Sequence, residues 1–399
     1  MLRFLDDACN VSNIGGCRCK YTQVTGLSQA TSILGRDGQG FGYWMLNASF
    51  GAENHIITLN DLQEPWYWAA DIAFFNDGTQ TTIVYAAEIW QAANHHTGQI
   101  ICSMLIDISG HLHFRLGTNT GGPAPIDLAV SSNQFPVSSS ALGQQPIWGK
   151  LEVQIGAGAF LVHYEGNPIM HGSSGALTLI DTFVWRSPDQ NWAIQNHYIL
   201  DSQPGLTGFL GATRIDSFVP NVSVGGNPWS PVGAATNVLA VSEHGPTGIY
   251  PDGDTTYMVP NSVGALQQFG FLRPRCYGLI LGLGLNFVCR PTGGLPQIGG
   301  YTRPAVTLFQ MGSNATLIDS GSTFEPDYPP MFGYLAYQFL SEKDPSNNQA
   351  WNDGAIGAAE WGIKADSIGV HCTQLTLLKL VSLNPSQPFT CGGVGNYVW

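Results

Sequence analysis

Apolar and polar residues alternate with a period of two along much of this chain. In GKLEVQIGAGAFLVHYEG (149–166), Leu151, Val153 and Ile155 fall on one side of an extended strand, with Glu152 and Gln154 on the other. A glycine-rich turn follows and FLVHYEG runs back, so the segment predicts a β-hairpin. TTIVYAAEIW (81–90), ICSMLIDISGHLHFRLG (101–117) and ALTLIDTFVW (176–185) repeat the pattern, with DISG (107–110) and EGN (165–167) as turns. Short strands at regular spacing over roughly 200 residues predict a large antiparallel sandwich.

The pattern breaks in RIDSFVPNVSVGGNPWSPVGAATN (214–237), rich in Gly, Pro and Asn, and then restarts. YGLILGLGLNFVCR (277–290), PAVTLFQMG (304–312), FGYLAYQFLS (332–341) and QLTLLKLVSL (374–383) predict a second set of strands, and residues 344–365 one short helix. The expected architecture is mostly β with two β-sandwich (jelly-roll) domains, over 1–216 with an amino-terminal arm and over 217–384, followed by an extended tail over 385–399.

Composition supports strands over helices: 49 Gly and 24 Pro among 399 residues, 11% aromatic and 11% charged. The charged share is well under the roughly 25% of an average soluble protein. A surface so poor in charge suggests cover by neighbouring subunits. The net charge of −13 with no basic stripe argues against nucleic-acid binding, which needs clustered Lys and Arg. MLRFLDDACNVSNIGG lacks a secretory signal, and the longest apolar run, YGLILGLGLNFV (277–288), is short and broken by glycine, so no membrane insertion and synthesis in the cytoplasm are expected. Eight cysteines (9, 17, 19, 102, 276, 289, 372, 391) include no CxxC pair, and reduced thiols without zinc are expected.

Candidate chemistry is sparse. PDGD (251–254) offers Asp252 and Asp254, too few oxygens for calcium, and reads as a turn with Tyr257 entering a strand. Neither a nucleophile elbow nor a P-loop is present. Glycosidase chemistry requires two carboxylates flanking the scissile bond, but Glu152 stands alone and Asp71, Glu88 and Asp107 lie on separate strands. The expectation is a non-enzyme without cofactor or metal. Exposed aromatics can stack on sugars, which makes Trp66, Tyr67, Trp68, Trp90, Trp185 and Trp192 candidates for a carbohydrate site, of which Trp66, Trp68, Trp90 and Trp192 are retained. The competing reading has alternate aromatics filling the core, with Trp66 and Trp68 on one face and Tyr67 on the other.

Taken in order, LRFLDD, KYTQVTG (20–26), GRDGQGFGYWMLN (35–47), IDISGHLHFRLG (106–117), WGKLEVQIGAGAFLVHYEGNPI (148–169) and NHYILDSQPGLTGFLGATRIDSFVPN (196–221) resemble a family of tailed-bacteriophage virion proteins, minor tail or tail-fibre-associated. NPWSPVG (227–233), YPDGDTTYM (250–258), GLNFVCR (284–290) and KDPSNNQAWND (343–353) resemble its second module. The resemblance implies a concanavalin A- or laminin-G-like first domain and a structural role in a virion. Implied partners are other virion proteins, symmetric copies of the chain and a host-surface glycan. Alternatives are a carbohydrate-binding adhesin and a head decoration protein. The resemblance brings no catalytic motif.

Overall fold

A computed structural model describes residues 1–6, 23–25, 31–34, 41–45, 53–59, 62–75, 88–94, 99–107, 109–116, 126–138, 147–156, 158–174, 180–187, 191–226, 228–242, 255–271, 278–291, 306–310, 316–318, 335–345, 347–359, 361–365 and 368–383. The protein is mostly β, as its alternation predicts, and divides between Ala212 and Thr213 into two compact units. Residues 213–216, placed above in the first domain, fall in the second unit: Thr213–Phe218 pairs with Val370–Ser382, Ile215 opposite Leu380.

The first unit is a sandwich of two sheets. One runs in the order Asn167–Ser173, Ala159–Tyr164, Gly149–Gly156, Trp66–Phe75, Asn191–Leu200, Phe41–Met45, Thr31–Leu34, with Leu2–Asp6 added along Asn191–Leu200. The other runs Ile126–Val130, Leu112–Leu116, Gln99–Ile106, Glu88–Asn94, Thr182–Ser187, Glu53–Thr58, Gln23–Thr25. The hairpin expected at 149–166 forms in the register Val153↔Val162, with Gly156 and Gly158 at positive φ where it turns, and Glu165 and Gly166 turn the chain again into Asn167–Ser173. In the turn at 107–110, the Asp107 side chain accepts from the backbone N–H of Ser109 and of His111, at 2.8 and 2.9 Å. Aromatic rings join the sheets: Trp66 meets Phe183 edge-on at 4.9 Å, and Phe114 stacks on Phe160 at 4.0 Å. Burial of such rings is the main source of stability in a sandwich core.

The second unit has a six-stranded sheet, in which Val370–Ser382 lies between Leu279–Pro291 on one side and Tyr257–Pro260 and Thr213–Phe218 on the other. A five-stranded sheet built on Leu266–Phe271 and Trp361–Ala365 completes it. Their shared core holds Trp229, Met258, Phe269, Leu285, Phe287, Ile363, Leu375 and Leu377. Among the described residues two short helices flank it. Asp353–Ala358 lies where a helix is expected and is capped by the Asn352 side chain; Asn237–Val241 begins at the last residue of the Gly/Pro/Asn-rich stretch and is capped by Thr236.

A close approach fixes one position in the first sheet. A Cβ on Gly149 would run into the ring of Tyr164 on the neighbouring strand. Gly149→Ala is therefore expected to destabilise the chain by about 1–3 kcal/mol through overpacking, read as a lower midpoint in urea unfolding.

Candidate functional site

The outer face of the first sheet, turned away from the sandwich core, gathers the most chemically capable side chains among the described residues. Strand Trp66–Phe75 is buried along both faces. Trp66, Trp68, Ala70 and Ile72 share the inner face with Ile155, Val153 and Leu151 across the register, while Asp71 faces Lys150, and Ala69 faces Glu152. On the other side of that strand Gln195 pairs with Asp71 and Tyr198 with Ala69, so Asn196 and His197 stand together against Ala70 as a β-bulge. Asn196 adopts the left-handed conformation with φ 51°, which Asn tolerates better than most residues. The bulge turns Gln195 and Tyr198, three apart in sequence, to the same outer face.

A hydrogen-bonded network results. Tyr198 Oη donates to Glu152 Oε1 at 3.1 Å, and the Gly211 backbone N–H donates to the same oxygen at 3.0 Å. Glu152 Oε2 is buried and has no hydrogen-bond partner among the described residues. Asn196 Nδ2 donates to Asp71 Oδ2 at 2.6 Å. Lys150 Nζ donates to the Asn196 carbonyl at 3.3 Å, stands 3.9 Å from Asp71 Oδ1 and lies 4.9 Å from the centre of the Tyr198 ring. Asp71, Lys150, Glu152 and Tyr198 are all buried. The segment after Asp201 roofs this face: Phe209 packs against His163 at 4.1 Å and meets Tyr67 edge-on at 5.9 Å. Its start is held by Arg3, whose guanidinium lies 3.3 Å from the buried Asp201 carboxylate, and by the Met1 amino group, which donates to the carbonyls of Asp201, Gln203 and Leu206.

His197 is the second notable group. Trp68 Nε1–H donates to its Nε2 at 3.0 Å, so the neutral ring carries its proton on Nδ1. Burial pushes the imidazole down to about 3; the Asp6 charge opposes this and the Lys150 charge adds to it. On the other sheet, His113 bridges Asp107 at 3.3 Å and Asp127 at 3.1 Å, and Arg115 pairs with Asp127. Against the upward push of burial, the backbone N–H of His111 and the His113 ring hold Asp107 below the ordinary carboxylate value. The Arg115 and His113 side chains do the same for Asp127, again against burial. Among the described residues no group of three or more His, Cys, Asp or Glu could hold a metal ion, and no helix is long and apolar enough to cross a membrane.

Two aromatics proposed for sugar stacking require correction. Trp66 and Trp68 are 1% and 0% exposed, sealed on the inner face against the opposing sheet and His197, and offer no face to a ligand. Trp90 lies in strand Glu88–Asn94 and Trp192 in strand Asn191–Leu200, the latter in register with Phe74, and their side chains lie outside the description. Trp185 lies opposite Trp90 in the second sheet. Asp252 and Asp254 also lie outside the described residues; Tyr257 opens strand Tyr257–Pro260 and its ring stacks on His371 at 4.0 Å. Lys150, Asn196 and Tyr198 were not singled out from sequence. Lys150 and Glu152, two apart on a strand, carried the available signal, but such a pair ordinarily marks a solvated face.

No family model matches the chain, and neither does any curated protein. Among solved structures, the chain is similar to the binding domain of Paraclostridial Mosquitocidal Protein 1 (11% identity, 86% of this chain and 93% of that one, TM-score 0.32). It is also similar to the carbohydrate-binding module CBM66 from Bacillus subtilis (11%, 43% and 91%, TM-score 0.28) and the Caenorhabditis elegans galectin LEC-6 (8%, 39% and 95%, TM-score 0.28). Likenesses this slight carry no argument about a ligand.

Two outcomes follow from the network. Tyr198→Phe removes a donor from a buried carboxylate and should cost about 1–3 kcal/mol, whereas Glu152→Gln in the same background should recover part of it; a denaturant double-mutant cycle reads the coupling. His197 has its folded value below the ordinary 6.5, so between about 3 and 6.5 the unfolded chain takes up a proton that the folded chain refuses. Stability should fall as pH drops through that window, with a slope of up to about 1.4 kcal/mol per pH unit. His197→Gln should flatten that limb in urea titrations repeated across pH.

Proposed function

We propose that the chain is a non-catalytic structural component of a bacteriophage particle, tail- or fibre-associated, that works through contacts with copies of itself and with other particle proteins. The observation that carries this reading is the fate of the polar groups on the broad outer face. Acid–base chemistry needs carboxylates presented to a substrate, whereas Asp71 and Glu152 are buried and bonded to Asn196, Tyr198 and Gly211. They hold the fold.

What the first unit presents instead, among the described residues, is a sheet edge. Strand Ile126–Val130 terminates its sheet, with Ile126 64% and Val130 48% exposed, and an edge strand with its backbone groups unpaired is a template for another chain. A register shift between Asp127 and Ala129 limits that pairing along the strand. The low charge of the whole chain favours extensive subunit contacts. Loss of Trp66 and Trp68 as stacking surfaces weakens the adhesin alternative.

Sedimentation velocity of the full chain tests the proposal. A discrete, concentration-dependent oligomer is expected, reduced to monomer by Ile126→Lys with Val130→Lys, together with co-sedimentation of the chain with phage particles purified from a lysate in which it is made. A chain that stays monomeric at about 100 μM, is absent from the particles and cleaves a polysaccharide would overturn it.

A further inference from the structure

In the second unit, Cys289 and Cys372 are direct partners across the antiparallel pair Leu279–Pro291 and Val370–Ser382. Residues in such positions have Cα atoms about 4.5–5.5 Å apart, inside the roughly 4.4–6.8 Å that a disulfide spans. A β-bulge creates the arrangement. Val288 pairs with Gln374 but Cys289 with Cys372, so Thr373 is the extra residue, and its hydroxyl donates to the Thr256 carbonyl at 3.0 Å. The inserted residue shifts the strand's phase, so that Val370 and Cys372 face the same core as Leu375 and Leu377. Cys289 reaches that core from its own strand in step with Leu283, Leu285 and Phe287. Both cysteines are fully buried free thiols, and the Cys372 thiol donates to the Gln374 carbonyl at 3.6 Å.

We propose that Cys289 and Cys372 are a disulfide-forming pair, joined across the strands when the second unit folds in contact with a small disulfide oxidant such as oxidised glutathione. One thiolate attacks the oxidant's S–S bond, forming a mixed disulfide and releasing one glutathione thiolate. The second cysteine's thiolate attacks the mixed disulfide at the protein sulfur, closing the Cys289–Cys372 bond and releasing the other. The two cysteine protons end on the two glutathione thiols, and the pair's two electrons reduce the oxidant.

Once both strands are buried in the reduced state, the pair is shielded. Burial, then the neighbouring Cys372, push the Cys289 thiol well above its ordinary value, and a thiol without thiolate character reacts slowly. The redox conditions during folding therefore decide whether the bond forms.

The full chain is unfolded in urea with reductant, then refolded either with oxidised and reduced glutathione or with reductant alone. Both products are denatured, alkylated and mapped as non-reduced peptides by mass spectrometry. The expected result is a linked peptide joining Cys289 to Cys372 only in the oxidised refold, and a melting temperature higher by about 5–10 °C, because the bond closes a long loop. Cys289→Ala and Cys372→Ala should each abolish both changes. The wild-type map reads the bond directly, so a variant that does not fold leaves the result intact. An oxidised refold with native circular dichroism in which both cysteines remain alkylatable, or in which Cys289 is joined to a different cysteine, overturns the proposal.

Discussion

A charged group removed from water must be bonded by its neighbours or it destabilises the fold. That constraint governs the first unit, because strand Trp66–Phe75 is buried on both faces and carries Asp71 on the outer one. Lys150, opposite Asp71 on one neighbouring strand, and Asn196, bulged out of the other, supply the partners. Tyr198 and the Gly211 amide do the same for Glu152. The roof over this face, from Asp201 to Ala212, thus both excludes water and contributes a donor. On the inner face Leu151, Val153 and Ile155 gain from burial alone, and the one indole N–H of Trp68 is met by His197 Nε2.

The two units solve a similar geometrical problem by the same device. Each has a long strand in which one inserted residue shifts the phase of the side chains. Asn196 and His197 against Ala70 bring Gln195 and Tyr198 to one face; Thr373 brings Cys372 and Leu375 to one core. In the first unit the shift assembles a polar cluster, in the second a sulfur pair inside an apolar core. The second unit also buries a cation: Lys379 reaches the Asp353 carboxylate at 3.3 Å and lies 5.5 Å from the centre of the Phe218 ring.

Strand content and the hairpin at 149–166 were legible in the sequence because inner-face residues there alternate without interruption. The helix at Asp353–Ala358 was legible from its Ala and Glu cluster, while Asn237–Val241 is a single turn or so that follows directly on a stretch whose Gly, Pro and Asn read as loop. The polar cluster was not legible, for a physical reason. Strict alternation puts Gln195 and Tyr198 on opposite faces, and only the bulge reunites them. Burial of Lys150 and Glu152 was equally hidden, since the cover comes from a segment whose Gly211 lies 59 residues beyond Glu152. Trp66 and Trp68 were correctly assigned to a shared face, but period-two spacing does not say which face meets solvent.

The position of Asn191–Leu200 in its sheet also orders events in time. Both Leu2–Asp6 and Trp66–Phe75 take it as a partner, so neither has its full complement of backbone bonds before residue 200 has been synthesised. At about 5–20 residues per second a ribosome needs roughly 6–25 s to pass from residue 75 to residue 200. During that interval Asp71, Lys150 and Glu152 remain hydrated and the flank of Trp66–Phe75 stays open to any other extended segment. The nascent chain in that window, rather than the finished sandwich, is the species on which a chaperone would act.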